Sequence, residues 1–311
     1  MGKLGALIKM IFTCGLFLVL VGFVLIRQDE LTTIFNSYLL KNSGTVTLDQ
    51  VNEYYRDYDF MFVQNTRDFS PRSYQDIINI YYTVINSGQT DFTFYCPSDY
   101  ADCLEHVKII ADDQTLLSDI NNYVHPYNGF AHIETVYDTL GKVNISLIKS
   151  YTDEDIAAIN SKVDELYPML VSEYSSIEDN IRRVHDYIIN TTKYDSDRSE
   201  RGIINYRSDI AYGPLFQGYA ICGGYSDLME LFLEKMGIRN YKVSSEMHVW
   251  NVVEINGRWY HIDLTWDDPV ASDGRNYLDH SYFLINTQQL LSIEGTQHNF
   301  MVDHYLELKG A

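Results

Sequence analysis

Asn256-Gly257 is the feature that most restricts the fold of this chain, because this dipeptide is a strong signal for a two-residue turn between antiparallel strands. Strand-like segments flank it on both sides. Such a turn pairs Ile255 with Arg258 and fixes every later pair by counting outward. His248 and Asp263 then become diagonal neighbours on one face of two strands. At that separation an imidazole and a carboxylate can form a hydrogen bond.

The opposite face of the predicted hairpin is apolar, so it is expected to pack on the core. The side chains of this apolar row are those of Val249, Val253, Ile255, Tyr260, Ile262 and Leu264. This arrangement leaves the face with His248 and Asp263 turned toward the helix that follows Cys222.

Cys222 precedes two glycines and a helical pattern of apolar residues, which places its thiol at or just before a helix N-terminus. There the helix dipole and unpaired backbone N–H groups favour a thiolate and can stabilise an oxyanion. Gly223 and Gly224 let other backbone or a substrate approach closely. A cysteine at a helix start is also common as a packed core residue. Together with His248 and Asp263, however, Cys222 forms the set expected of a nucleophile, a base and its orienting acid.

Other titratable residues near the predicted triad allow further interpretations. His261 shares the face of Asp263, so a zinc site formed by His248, His261 and Asp263 is a competing interpretation. Asp267 and Asp268 are interpreted as turn residues that help to shape the cleft, and not as an acid–base pair.

The charge of the chain excludes one class of partner. A formal net charge of -20 repels phosphate backbones, and no basic stripe offsets it. Nucleic acid is therefore not an expected partner. The 46% hydrophobic and 21% charged fractions are those of an ordinary folded protein, without fixed-period repeats.

Residues 10–26 carry no charge, and counted back through Leu4 the apolar stretch is long enough to cross a bilayer. Lys3 and Lys9 precede the segment and Arg27 follows it, so the positive-inside rule places the N-terminus in the cytoplasm. Residues 1–27 are predicted to form a single, uncleaved transmembrane anchor, with the rest of the chain outside the cytoplasm. A cleaved signal peptide is the alternative.

Residues 28–150 are predicted to form a mixed α and β N-terminal module of unknown role. Helices are expected over residues 31–39 and 47–58, and a third begins at Ser70-Pro71 and ends at Gly88. Strands are expected near residues 92–94 and 143–147. Cys96 and Cys103 can form a disulfide if the compartment is oxidising.

Residues 151–311 are predicted to form the second domain, which begins with two capped helices. Thr152 and Ser176 are the expected N-caps, and Pro168 is expected to interrupt the first helix. The segment that contains Cys222 and the hairpin follows.

This domain contains the motifs GYAICGGY at 218–225, HVWN at 248–251 and WYHIDLTWD at 259–267. These three motifs resemble the transglutaminase-like (papain-like cysteine) superfamily, particularly its membrane-anchored bacterial surface members. The resemblance covers about a third of the chain, and its motifs follow the order and spacing of the family. It implies an α+β fold with a papain-like core, in which the cysteine helix packs on an antiparallel sheet.

The resemblance also implies a function. It predicts catalytic roles for Cys222, His248 and Asp263 in an extracellular thiol enzyme that acts on protein or peptide amides through a thioester, as a hydrolase or an acyltransferase. Gln217 resembles the amide that assists the oxyanion hole, and Gly223 and Trp250 complete the expected oxyanion and substrate-binding set. No metal or other cofactor is expected. The alternative is a non-catalytic surface binding or scaffold domain that retains the fold.

Overall fold

Residues 50–150, called the N-terminal unit below, contain three α-helices and a small antiparallel sheet with the strand order β1-β3-β2. The structure is a computed structural model that describes residues 27–28, 47–48, 50–269, 277–293 and 297–309. The elements of the unit are α1 (Tyr74–Ser87), β1 (Asp91–Tyr95), α2 (Cys103–Asp112), α3 (Gln114–Asn121), β2 (Phe130–Tyr137) and β3 (Lys142–Lys149). A disulfide joins Cys96, just after β1, to Cys103, the first residue of α2. The pairing anticipated for these two cysteines is confirmed.

Two helix predictions in this unit need correction. α1 begins three residues later than expected, because the Ser73 side chain, not Ser70-Pro71, caps it by accepting from the Asp76 N–H. No helix occupies the described part of residues 47–58. There the backbone N–H groups of Asn52 and Arg56 donate to Ser87 and Asn86 at the end of α1, so tertiary contacts replace helical hydrogen bonds. The helix predicted at 31–39 lies outside the described residues.

Residues 151–309 contain the remaining elements. The first part comprises α4 (Asp153–Leu170), α5 (Ile177–Thr191), β4 (Lys193–Tyr194), α6 (Ser196–Arg201), a π-helical turn (Gly213–Gln217) and β5 (Tyr219–Ala220). The second part comprises α7 (Cys222–Lys235), β6 (Asn240–Ser244), β7 (Val249–Ile255), β8 (Arg258–Ile262), α8 (Leu264–Asp267), β9 (Phe283–Ile285) and α9 (Thr287–Ser292). Thr152 and Ser176 are the N-caps of α4 and α5, as predicted. Pro168, by contrast, lies inside α4, which continues for two more residues.

The central sheet of this half has the order β6-β7-β8-β9, with neighbouring strands antiparallel. Asn256 and Gly257 both have positive φ, as a two-residue hairpin turn requires. The predicted register therefore holds from the Ile255–Arg258 pair outward to the pair formed by Asn251 and Ile262. The fold class is α+β with antiparallel sheets.

The sheet is buried on both faces, which corrects one expectation about the site. The apolar row of β7 and β8 does pack on a core, but that core contains α7 itself, through residues such as Leu228 and Phe232. The Asn251 side chain also donates to the Ser226 carbonyl of α7, at 3.0 Å. The face that carries Trp250 packs instead on the N-terminal unit. The cysteine helix thus covers the apolar face, opposite to the prediction.

One hydrophobic cluster runs across the two halves of the chain. It joins side chains of α1 and β3 to Tyr241 and Trp250 of the central sheet and to Tyr305 near the C-terminus. The boundary between residues 150 and 151 stays a prediction.

No helix among the described residues combines the length and the apolar character needed to cross a membrane. The segment predicted as an anchor, residues 10–26, lies outside them.

A buried ion-pair network also fastens the N-terminal unit to α7. The Arg56 guanidinium donates to Glu230 Oε1 at 2.6 Å, to Glu234 Oε1 at 2.5 Å and to the Tyr123 carbonyl at 2.7 Å. Arg56 and Glu230 are almost fully buried. Burial raises the pKa of Glu230 to about 7, against the opposing effects of Lys242 and Arg56. A buried carboxylate of this kind depends on its cationic partners.

We expect Arg56→Met to lower the free energy of unfolding by about 3–5 kcal/mol, because it leaves the buried Glu230 carboxylate without the Arg56 guanidinium. Urea unfolding at neutral pH measures the change. Lys162→Met is the matched control, since Lys162 pairs with Glu165 on the surface and its loss should not be measurable. Equal stabilities of the Arg56 variant and the wild type would contradict this role.

Candidate functional site

Cys222 is the first residue of α7, and Ile221 is the N-cap. Among the described cysteines it is the free thiol, and it is partly exposed. The next two residues must be glycines because the backbone of residues 208–209 crosses directly over them. A Cβ on Gly223 would lie 2.6 Å from the Asp209 carbonyl oxygen, and one on Gly224 would collide with the Ser208 carbonyl oxygen. The predicted close approach is made by backbone, and it holds the start of α7 in place.

His248 and Asp263 are in contact, as the turn register predicted. The Nε2–H of His248 donates to Asp263 Oδ2 at 2.6 Å, and both side chains are buried. Cys222 interacts with His248 closely enough to help raise the pKa of the imidazole. His248 lies just before β7 and Asp263 just after β8, so the three groups meet at the end of the sheet.

The electrostatics of this contact favour a charged pair. Burial alone would lower the pKa of His248, but the charge and hydrogen bond of Asp263, with the interaction with Cys222, raise it to about 10. Burial would raise the pKa of Asp263, yet His248 and His298 together hold it well below its usual range. An imidazolium beside the thiol, oriented by a carboxylate, can hold and return a proton during nucleophilic attack.

His298 is a site residue that sequence reasoning missed. Its Nε2–H donates to the same Oδ2 of Asp263 at 2.7 Å, and its ring stacks on Tyr282 with centroids 5.1 Å apart. Its Nδ1 is buried and has no hydrogen-bond partner among the described residues. That pattern places the donated hydrogen on Nε2, since an unpaired lone pair at Nδ1 is less costly than an unpaired N–H. No spacing or strand pattern marked this residue.

Trp250, predicted to line the substrate site, is buried, and its indole ring lies between the imidazoles of His248 and His261. Its ring stacks on His248 at 5.6 Å, and its Nε1–H donates to His261 Nδ1 at 2.9 Å. The other ring nitrogen of His261 bonds to Thr287 at 3.0 Å, and burial lowers the pKa of His261 to about 3. His261 is therefore engaged elsewhere, and the zinc set that combined it with His248 and Asp263 is not assembled.

Gln217, the predicted oxyanion residue, ends the π-helical turn just before β5. Its Oε1 accepts from the backbone N–H of Arg207 at 2.8 Å. Holding the oxygen in this way orients the amide and leaves the NH₂ group as the donor that it can offer.

Asp267 and Asp268 are buried, although they were predicted to be turn residues. Asp267 accepts from His185 Nε2 at 3.1 Å and from the Tyr282 N–H at 2.9 Å. Asp268 accepts from the Tyr225 hydroxyl, and burial raises its pKa to about 6. Both carboxylates fasten the segment after Asp263 to its surroundings.

A cavity of about 540 Å³ adjoins the site. Gly223 and Val249, the neighbours of Cys222 and His248 in sequence, form part of its lining. Asn121 and Ala131 of the N-terminal unit line another part, and Tyr206 of the loop after α6 contributes as well. The N-terminal unit therefore forms one wall of the cleft that Gly223 and Val249 also line.

Comparisons with solved structures return a transglutaminase and a cysteine protease as similar. A crystal structure of a TGase is 18% identical with a TM-score of 0.33, over 44% of this chain and 45% of that one. A "putative cysteine protease" from Cytophaga hutchinsonii is 14% identical with a TM-score of 0.29, over 43% of this chain and 61% of that one. The chain thus spans less than two thirds of each of these neighbours, which are of the kinds that the sequence motifs resemble. Because both TM-scores are below 0.5, the function proposed below rests on the contacts within the site.

No protein-family model and no curated protein match the chain.

We expect His298 to be a positioning residue for Asp263, with its donor N–H as the required feature. His298→Phe should slow alkylation of Cys222 at pH 6 by about tenfold, because losing a hydrogen bond to a buried carboxylate costs about 1.5–3 kcal/mol. His298→Gln, which keeps an N–H donor, should recover most of the rate. If the Phe and Gln variants lose the same reactivity, packing and not the hydrogen bond is what His298 supplies.

Proposed function

We propose that the chain is a thiol enzyme that acts on protein or peptide amides through Cys222, His248 and Asp263. The hydrogen bond between His248 and Asp263, with Cys222 interacting with His248 from the start of a helix, is the observation that carries the proposal. The adjoining cleft, which Gly223 and Val249 help to line, is large enough to hold a peptide side chain.

The proposed reaction begins with the Cys222 thiol proton already held by His248, whose imidazole is charged at neutral pH. The thiolate sulfur then attacks the carbonyl carbon of a carboxamide, and the oxygen becomes an oxyanion. The N–H of Cys222, which has no acceptor within its helix, and the amide of Gln217 are the proposed donors to that oxygen. His248 returns the proton to the departing nitrogen, the C–N bond breaks, and a thioester remains on Cys222.

The second half of the reaction depends on the group that attacks the thioester. Water releases an acid, which makes the protein a peptidase if the first bond was in the backbone, or a deamidase if it was in a glutamine side chain. A lysine amine instead forms a new amide and cross-links two chains. In each case His248 accepts a proton from the attacking group, and the sulfur leaves as thiolate.

We further propose that this chemistry takes place outside the cytoplasm, at the cell surface or in the envelope. The disulfide between Cys96 and Cys103 supports the proposal, because such bonds persist in oxidising compartments. The apolar stretch at 10–26 supports a single-pass anchor. Substrates would then be surface or envelope proteins and peptides.

Thiol reactivity tests the proposed ion pair. At pH 6 iodoacetamide should modify Cys222 at least about tenfold faster than free cysteine, because in the proposed mechanism His248 holds the thiol proton and leaves the sulfur nucleophilic. His248→Ala should remove most of this advantage. Since the pKa of His248 is raised to about 10, its charge is present at neutral pH and is lost as the pH rises through that value. The advantage should therefore shrink toward high pH; a rate equal to that of free cysteine at pH 6 would overturn the enzyme proposal in favour of a binding domain.

The reaction itself can be followed by mass spectrometry of glutamine-containing peptides, incubated with the full chain with and without an added primary amine. We expect a Cys222-dependent product: glutamate indicates deamidation, incorporated amine indicates cross-linking, and shortened peptides indicate proteolysis. Cys222→Ala should abolish the product, whereas the matched variant Ser70→Ala, at an exposed position outside the lining of the cleft, should still form it. Turnover that persists in the Cys222 variant would contradict the proposed nucleophile.

A further inference from the structure

A second group of metal-ligand side chains lies at the other end of α8 from Asp263. It consists of His185 and Asp186 in the middle of α5 and His280 before β9. His185 Nδ1 lies 2.9 Å from Asp186 Oδ1, and His280 Nε2 lies 2.8 Å from the same oxygen. The ligand atoms of all three residues lie within 4.8 Å of one another. The two imidazole rings also stack, with centroids 5.2 Å apart.

The buried imidazole of His185 has a carboxylate next to each of its two ring nitrogens. The carboxylate at Nδ1 is that of Asp186, the carboxylate at Nε2 is that of Asp267, and the ring is fully buried. An imidazole that donates from Nε2 to Asp267 offers the lone pair of Nδ1 to a metal ion. Nδ1 lies 2.9 Å from the Asp186 oxygen, so one ion can contact both atoms.

Asp267 supplies the support that a metal-binding histidine usually has. Its carboxylate is fully buried and fixed by the Tyr282 N–H at 2.9 Å, and it accepts from His185 Nε2. A metal-ligating histidine commonly donates its second N–H to a carboxylate, which selects the tautomer and orients the ring. Here that arrangement directs Nδ1 of His185 toward Asp186 and His280.

We propose that His185, Asp186 and His280 bind a divalent transition-metal ion of the zinc class. Two imidazole nitrogens and a carboxylate oxygen are a common three-residue zinc donor set, with water as the fourth ligand. The side chains of Asp186 and His280 are 31% and 39% exposed, so an ion and its water can enter from solvent. The other candidate group, formed by His248, Asp263 and His298, is buried throughout and lacks such an entrance. The proposed site stands whether or not Cys222 is a catalytic nucleophile.

The test uses the full chain with Cys222→Ser, so that the thiol cannot bind metal, and titrates it with Zn²⁺ by calorimetry. We expect about one equivalent to bind and to raise the Tm. His280→Ala and Asp186→Asn should each weaken binding by about 100-fold, since even second-shell losses cost 10- to 100-fold. Both positions are partly exposed, and circular dichroism checks that the variants are folded. His132→Ala, which removes an exposed histidine on β2, is the matched control and should bind as the parent does.

His298→Gln separates this site from the buried group, because it changes that group and leaves His185 and His280 intact. Unaltered Zn²⁺ affinity in this variant supports the proposal. Three results would each overturn it: no binding by the parent at about 100 µM Zn²⁺, undiminished affinity in both the His280 and Asp186 variants, or loss of binding in the His298 variant alone.

Discussion

The Asp263 carboxylate is the group on which the site depends, because each of its oxygens holds different parts of the chain. Oδ1 accepts the backbone N–H groups of Thr265 and Trp266 and so starts α8. Oδ2 accepts from His248, just before β7, and from His298 in the C-terminal segment. Four donors satisfy a fully buried charge, which is the condition for keeping a carboxylate ionised in the interior. The same charge then keeps His248 protonated beside Cys222.

The position of the site follows from a sheet that is covered on both sides. α7 lies against one face of β7, and the N-terminal unit lies against the other. A histidine in the middle of either face would be enclosed by packing and could not meet a thiol at the start of α7. His248 avoids this because it lies at the strand end, where the sheet stops and the helix N-terminus begins. His248 therefore reaches Cys222 because it lies at the end of β7, whichever face of the sheet its side chain is on.

Local signals predicted much of this arrangement, and non-local contacts account for the errors. The turn at Asn256-Gly257 determined the register, and with it the contact between His248 and Asp263, because a two-residue turn fixes all later pairs. Which face α7 covers could not be derived in the same way, since both faces of the hairpin carry large apolar residues. His298 was missed because it reaches Asp263 from 35 residues further along the chain, in a segment with little regular structure. The non-helical path around Arg56 likewise depends on partners far away in sequence.

The N-terminal unit has two connections to the site, and they explain why the hydrophobic core continues across the chain. Arg56 neutralises carboxylates on α7, the helix that presents Cys222, so the unit helps to hold that helix in place. Asn121 and Ala131 form a wall of the cleft next to Gly223. Because the unit both supports the helix that begins at Cys222 and faces the cleft, it is in a position to select among the substrates of the proposed enzyme.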